Sequence, residues 1–187
     1  MKKNAVTQQD KQKFIDKLNK VINQLRDCND TKCVQNTHND FIKNLNGKDQ
    51  DVLGGSFNKL TADLECISKS KVDRINLGAK IQVNIDNIKS LNEAIAKCNG
   101  NASCINNFKK KINEIHKESK KFGKEVKDVT KKILDCCNSL NNLIKKLFHI
   151  KDFTKKLIKY HKKSLRKTKR KIKNIYLFKK KLKSNKG

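Results

Sequence analysis

At 187 residues the chain is one domain or two small ones, long enough to bury a core of its own. Proline and tryptophan are absent, glycine is scarce and Lys, Leu, Ile and Asn dominate, which favours long helices and speaks against a β-sheet. With 46 Lys and Arg against 18 Asp and Glu, the formal net charge is +28, which draws the molecule to dense negative charge. No stretch of 18 apolar residues is present to span a membrane.

Apolar residues follow helical spacing from the start of the chain. Phe14, Leu18, Val21, Leu25 and Cys28 step by four and three, which predicts a first amphipathic helix. Phe41 and Leu45 continue such a pattern as far as Asn46-Gly47, read as a helix stop, and Gly54-Gly55-Ser56 marks the next start. Phe57, Leu60, Leu64 and Ile67 then open a stripe whose 3.5-residue phase runs through Lys71, Arg74 and Gly78 to Ile81, Ile85, Ile88 and Ile95. One long helix is expected there, bent near Gly78. Ile105, Phe108, Ile112, Ile115 and Phe122 repeat the theme. Gly123 is expected to interrupt it before Val126, Val129, Ile133, Cys136, Leu140, Ile144 and Leu147.

Seven cysteines accompany one Met. Cys28 and Cys33 are separated by four residues and Cys98 and Cys104 by five, so neither pair has the two-residue spacing of a zinc knuckle, and no His pair lies near them. Structural disulfides are the better reading, and they imply an oxidising compartment. We expect Cys28–Cys33 and Cys98–Cys104, short loops that mainly fix turn geometry. Cys66 would bond Cys136 or Cys137, leaving one of that vicinal pair free, buried or bonded to another molecule. Asn29-Asp30-Thr31 and Asn101-Ala102-Ser103 are N-glycosylation sequons, each inside a cysteine-bounded loop. The N-terminus Met1-Lys2-Lys3-Asn4 has no apolar run and is no signal peptide; the expectation is a mature secreted form with an added start methionine.

The two cysteine loops read as copies. Cys28-Asn29-Asp30-Thr31-Lys32-Cys33 parallels Cys98-Asn99-Gly100-Asn101-Ala102-Ser103-Cys104, and Leu64-Glu65-Cys66 parallels Leu134-Asp135-Cys136. This spacing predicts a tandem duplication of a unit of about 70 residues, each unit a helical hairpin with a cross-linked turn followed by a longer helix. The resulting fold is all-α: a disulfide-stapled helical bundle of two repeats, over 6–77 and 78–150, plus a basic C-terminal helix over 151–187.

Charge is concentrated in that last segment. Residues 1–100 carry net +5, residues 101–150 net +7, and residues 151–187 net +16 from 17 basic groups and one acid. Compositional drift toward Lys would raise it everywhere and would not strip the acids from one segment. From Asp152, read as the cap of a final helix, Phe153, Leu157, Tyr160, Ile172, Ile175, Tyr176 and Leu182 recur at roughly helical intervals. The other faces carry Lys155, Lys156, Lys159, Lys162, Lys163, Arg166, Lys167, Lys169, Arg170, Lys171 and Lys173, the candidate polyanion-binding residues. The apolar stripe thins between Leu165 and Ile172, so only the first half of this helix is expected to dock.

Enzyme signatures do not appear. The four histidines His38, His116, His149 and His161 form no i, i+4 metal pair, and no phosphate-cradling glycine loop or nucleophile turn occurs. Cys136-Cys137 has part of the Cys-Cys-x-x-His of secreted phospholipases A2, but position 140 is Leu. Asp49 and Asp51 suggest an EF-hand loop whose twelfth position is Leu60 instead of Glu. The chain is therefore read as non-catalytic, with no metal and no cofactor implied.

Several partner classes follow from the charge. Sulfated glycosaminoglycan or polyphosphate needs only a ladder of cations, which Lys supplies. Nucleic acid fits the charge, but only 4 of the 46 basic residues are Arg, the side chain suited to bidentate base readout, and aromatics for stacking are 5% of the chain. An anionic membrane surface is opposed by the thin, Trp-free apolar stripe of the tail. A helical bundle can also sequester a small apolar mediator between its helices.

With its paired Cys-Asn…Cys loops and Lys-rich tail, the chain in overall character (basic, helical, cysteine-stapled and without enzymatic motifs) resembles small secreted salivary proteins of blood-feeding insects; a defence or venom protein of similar build would look the same. The resemblance implies interference with a host's haemostasis or inflammation. Taken together, the expectation is a secreted, non-enzymatic protein that sequesters extracellular polyanions.

Overall fold

The structure, a computed structural model, describes residues 5–184. Among the described residues it is all-helical, with three disulfides and no strand. Its helices are α1 (Gln8–Asp27), α2 (Thr31–Lys43), α3 (Gly47–Leu53), α4 (Phe57–Ala96), α5 (Ala102–Phe148) and α6 (Lys155–Ser184), with a 3-10 turn over Gly54–Ser56 before α4.

Helix starts are set by short polar side chains. The Thr7 hydroxyl accepts from Asp10 N while the Asp10 carboxylate accepts from Thr7 N, which satisfies two of the free donors at the start of α1. Asn46 and Asp49 form the same reciprocal pair at the start of α3. Asn46-Gly47, expected as a stop, is therefore a start, because α2 has already ended at Lys43. The two boxes interlock: Lys48 on α3 pairs with Asp10 at 3.5 Å, and Lys17 on α1 pairs with Asp49 at 2.9 Å.

The long central helix expected through Lys71 and Arg74 is present as α4, 40 residues without a break. Gly123 does not interrupt its helix either. α5 runs 47 residues straight through it, and an added Cβ at Gly123 would meet Ile172 of α6 at 3.4 Å, so the glycine marks a close helix approach. Nor does the Asp152 side chain cap α6. Asp152 adopts a left-handed φ of 56°, and its backbone carbonyl accepts from Lys155 N. The entry to α6 is instead held by Thr154, whose N–H donates to Asn141 Oδ1 at 2.6 Å and whose hydroxyl donates to the Cys137 carbonyl at 3.1 Å.

The chain divides into two compact units. The first comprises the chain to Ile75 with Val129–Lys162, the second Asn76–Asp128 with the chain from Lys163. The core of the first contains the α1 stripe Phe14, Leu18, Val21 and Leu25, with Leu60, Leu64 and Ile67 from α4, Ile133, Leu140 and Ile144 from α5, and Leu157 from α6. The core of the second is smaller and is built from Ile88, Leu91, Ile112, Ile115 and Ile175. Burial of such side chains stabilises by roughly 1.5–3 kcal/mol each before entropy is counted.

Candidate polyanion-binding surface

α6 presents two faces because its buried positions recur every three to four residues within each half of the helix, the two sets standing seven residues apart. Thr154, Leu157 and His161 are buried in the first unit, and Thr168, Ile172 and Ile175 in the second. The stripe that looks thin in sequence is thus completed by a threonine whose hydroxyl donates back to the Ser164 carbonyl at 3.1 Å. The second half of the helix docks as well, correcting the expectation that only the first half does. In the second unit Tyr176 meets the His116 ring edge-on at 4.2 Å, and Ile172 reaches Gly123.

All eleven candidate cations are exposed. Lys155, Lys156, Lys159 and Lys162 belong to the first unit; Lys163, Arg166, Lys167, Lys169, Arg170, Lys171 and Lys173 belong to the second. α6 contains no Asp or Glu, and among the described residues none of these eleven has a carboxylate within ion-pairing distance. On α5, Lys120 and Lys127 stand one turn to either side of Gly123 and are also exposed. The second unit holds 23 basic and 6 acidic residues, net +17, against net +11 for the larger first unit. Unpaired ammonium groups in water keep their full charge available to an incoming polyanion.

The seven cysteines resolve as three bonds and one thiol. Cys28–Cys33, Cys98–Cys104 and Cys66–Cys136 are joined, and Cys137 is free and buried. Burial pushes the Cys137 thiol up to about 12. Each turn disulfide encloses a capped helix start. Asp30 accepts from Cys33 N at 2.7 Å, and Asn101 accepts from Cys104 N at 3.0 Å. The sequon asparagines Asn29 and Asn101 are both exposed.

One constellation escaped sequence reasoning. Lys71, Arg74 and His161 are all buried in the first unit, at 2%, 8% and 2% exposure. Lys71 Nζ donates to the Leu25 and Arg26 carbonyls, free acceptors at the C-terminal end of α1, and lies 5.0 Å from the Tyr160 ring centroid. Burial lowers its ammonium to about 8 against the pull of Asp27. Burial also holds His161 neutral, down to about 3, with the Lys71 and Arg74 charges adding to the effect. The phase of the α4 stripe does place Lys71 and Arg74 on the buried face, and this was the available signal. The residues that receive them, on α1 and α6, lie far away in sequence.

Two open grooves flank the first unit. One of about 610 Å³ is lined by Ala5, Val6, Gln50, Asp51, Gly54, Phe57 and Asn58. The other, of about 460 Å³, lies between α1 and α2 and is lined by Lys17, Lys20, Gln24, Asn36 and Asn44 together with Val21, Cys33 and Phe41. Among the described residues no group of three or more His, Cys, Asp or Glu is gathered as for a metal, and no helix is long and apolar enough to cross a membrane.

Comparison of the chain with known protein families, with curated proteins and with solved structures finds no match. The functional reading therefore rests on the chain's own residues.

Proposed function

We propose that this is a secreted, non-enzymatic protein that sequesters extracellular polyanions on the exposed cationic face of α6. The carrying observation is that eleven exposed Lys and Arg side chains stand on a helix without a single acid. Phosphate or sulfate chains bind such a face by neutralisation and release of counterions, so affinity is gained without a shaped pocket. Lys outnumbers Arg 42 to 4 in the whole chain, which suits charge pairing and gives little base readout. Three disulfides fit an oxidising, extracellular setting, and in that setting Asn29 and Asn101 are the positions we assign to N-glycans. We also read the two capped cysteine turns as products of a tandem duplication, supported by Asp30 and Asn101 each capping three residues before the second cysteine of its pair. Covering heparan sulfate or polyphosphate would interfere with the haemostatic and inflammatory reactions that assemble on them.

The test uses substitution, because deleting α6 would also remove Leu157 and His161 from the interior. With all eleven cations replaced by Gln, helix content should persist, since Gln and Lys have similar helix propensity. Binding to heparin and long-chain polyphosphate, followed by titration across a salt series, should fall at least tenfold at physiological salt. Unchanged affinity in the substituted protein would refute the assignment.

A further inference from the structure

The polyanion reading leaves open what kind of chain the face fits, and the arrangement of the cations in the second unit bears on that. From Lys163 to Lys173 seven cations occupy eleven residues, an axial length of about 15 Å at 1.5 Å per residue. They do not form a single line. At 100° per residue, Lys163, Arg166 and Arg170 make a central ridge, opposite the buried Thr168, Ile172 and Ile175. Lys169 and Lys173 lie on one flank of that ridge, Lys167 and Lys171 on the other. Together the three rows spread over about 200° of the helix circumference, an arc of roughly 20 Å at side-chain radius. The spread is thus at least as great as the length.

A stiff polyanion cannot use such a surface fully. Lying along the helix, a rod touches the central ridge alone. A duplex that took the helix into its major groove would set the ridge against base edges and leave only the flanks for phosphate. Either pose neutralises three or four of the seven charges. A flexible chain with a charge on every short repeat can cross between the rows and reach all of them. No exposed aromatic side chain stands among these seven to favour stacked bases.

We infer that the second unit selects flexible, densely charged linear polyanions of the inorganic polyphosphate type over stiff duplexes. This rests on the polyanion reading of α6 and sharpens it.

The experiment measures the dependence of log K on log salt for long-chain polyphosphate and for duplex DNA. It compares the full chain with a variant carrying Gln at all seven positions. Replacing the seven should remove about 5 units of slope for polyphosphate, taking the single-strand nucleic-acid value of roughly 0.7 per contact, and no more than about 3.5 for the duplex at roughly 0.9 per contact. Two partial variants locate the contacts. The ridge set (Lys163, Arg166 and Arg170→Gln) and the flank set (Lys167, Lys169, Lys171 and Lys173→Gln) should each weaken polyphosphate binding severalfold. All variants are compared by circular dichroism, and helix content should match that of the parent chain. A slope loss for duplex as large as for polyphosphate would overturn the inference and leave polyanion binding standing. So would a loss of polyphosphate affinity confined to one set. Failure of both polymers to bind with salt-dependent affinity would instead refute the polyanion reading itself.

Discussion

At the residue scale, the buried groups set how the molecule responds to acid and to thiol reagents. His161 is neutral in the fold, at about 3, against 6.5 for an unperturbed imidazole. The unfolded chain therefore binds a proton that the folded chain refuses as pH falls below 6.5, and stability is lost through the window from 6.5 down to 3. At pH 5 the loss is roughly 2 kcal/mol, and urea midpoints between pH 7 and 5 will show it. His161→Leu should flatten that dependence; an equal slope in the variant would remove His161 as its source. Lys71 works at the other end. Its folded-state value of about 8 lies below the ordinary 10.5, so the unfolded chain again holds more protons and stability rises from pH 8 to 10.5. Cys137 is fully covered, with its thiol raised to about 12. We expect no reaction with a thiol-specific reagent at pH 8 in the folded protein and one equivalent after unfolding.

At the element scale, helix ends and one helix crossing carry the information. Asp30 and Asn101 each satisfy a free N–H at a helix start that lies within a disulfide-closed turn. Asp30→Ala or Asn101→Ala should cost about 1 kcal/mol, read from thermal unfolding. Asn101→Ala also removes the sequon, so the cap is best tested in unglycosylated protein. Gly123 sits within α5 and faces the flexible end of Ile172 at 3.4 Å. Ala at this position keeps ordinary contact with Ile172 and gains up to about 1 kcal/mol of helix propensity. Gly123→Leu should instead cost about 1–3 kcal/mol through overpacking against α6. A destabilising Ala would mean that the approach at Ile172 is too rigid to give way. The helical stripes were legible in advance because burial repeats every three to four residues, whichever helix lies opposite. The behaviour of Gly123 was not, since a lone glycine reads equally as a break or as a close approach.

For the whole molecule, cross-links oppose the self-repulsion of +28 charges. Cys66–Cys136 joins α4 to α5 across 70 residues, whereas Cys28–Cys33 spans 5. By chain entropy the long link contributes about 4 kcal/mol and the short one about 2. Replacing Cys66 and Cys136 by Ala should therefore lower the melting temperature more than replacing Cys28 and Cys33. Added salt or polyphosphate should raise it, because both relieve repulsion and, on the proposed function, the polyanion also binds the folded face. Calorimetry with and without each additive checks this.

The sequence alone determined the helical class, the apolar stripes, the three disulfide partnerships short of the choice between Cys136 and Cys137, and the cationic segment of the tail. Each follows from periodicity, cysteine spacing or a local excess of charge, properties that need no knowledge of distant neighbours. The tertiary structure decided what depends on those neighbours. Cys136, and not Cys137, faces Cys66. Thr168 takes an apolar position, and with Ile172 and Ile175 it is buried along the second half of α6. Lys71, a charged residue in an otherwise apolar phase, is buried because it meets the open carbonyl end of α1. Which face of a helix turns inward can be read from one segment; what it meets there is set only when the chain has folded.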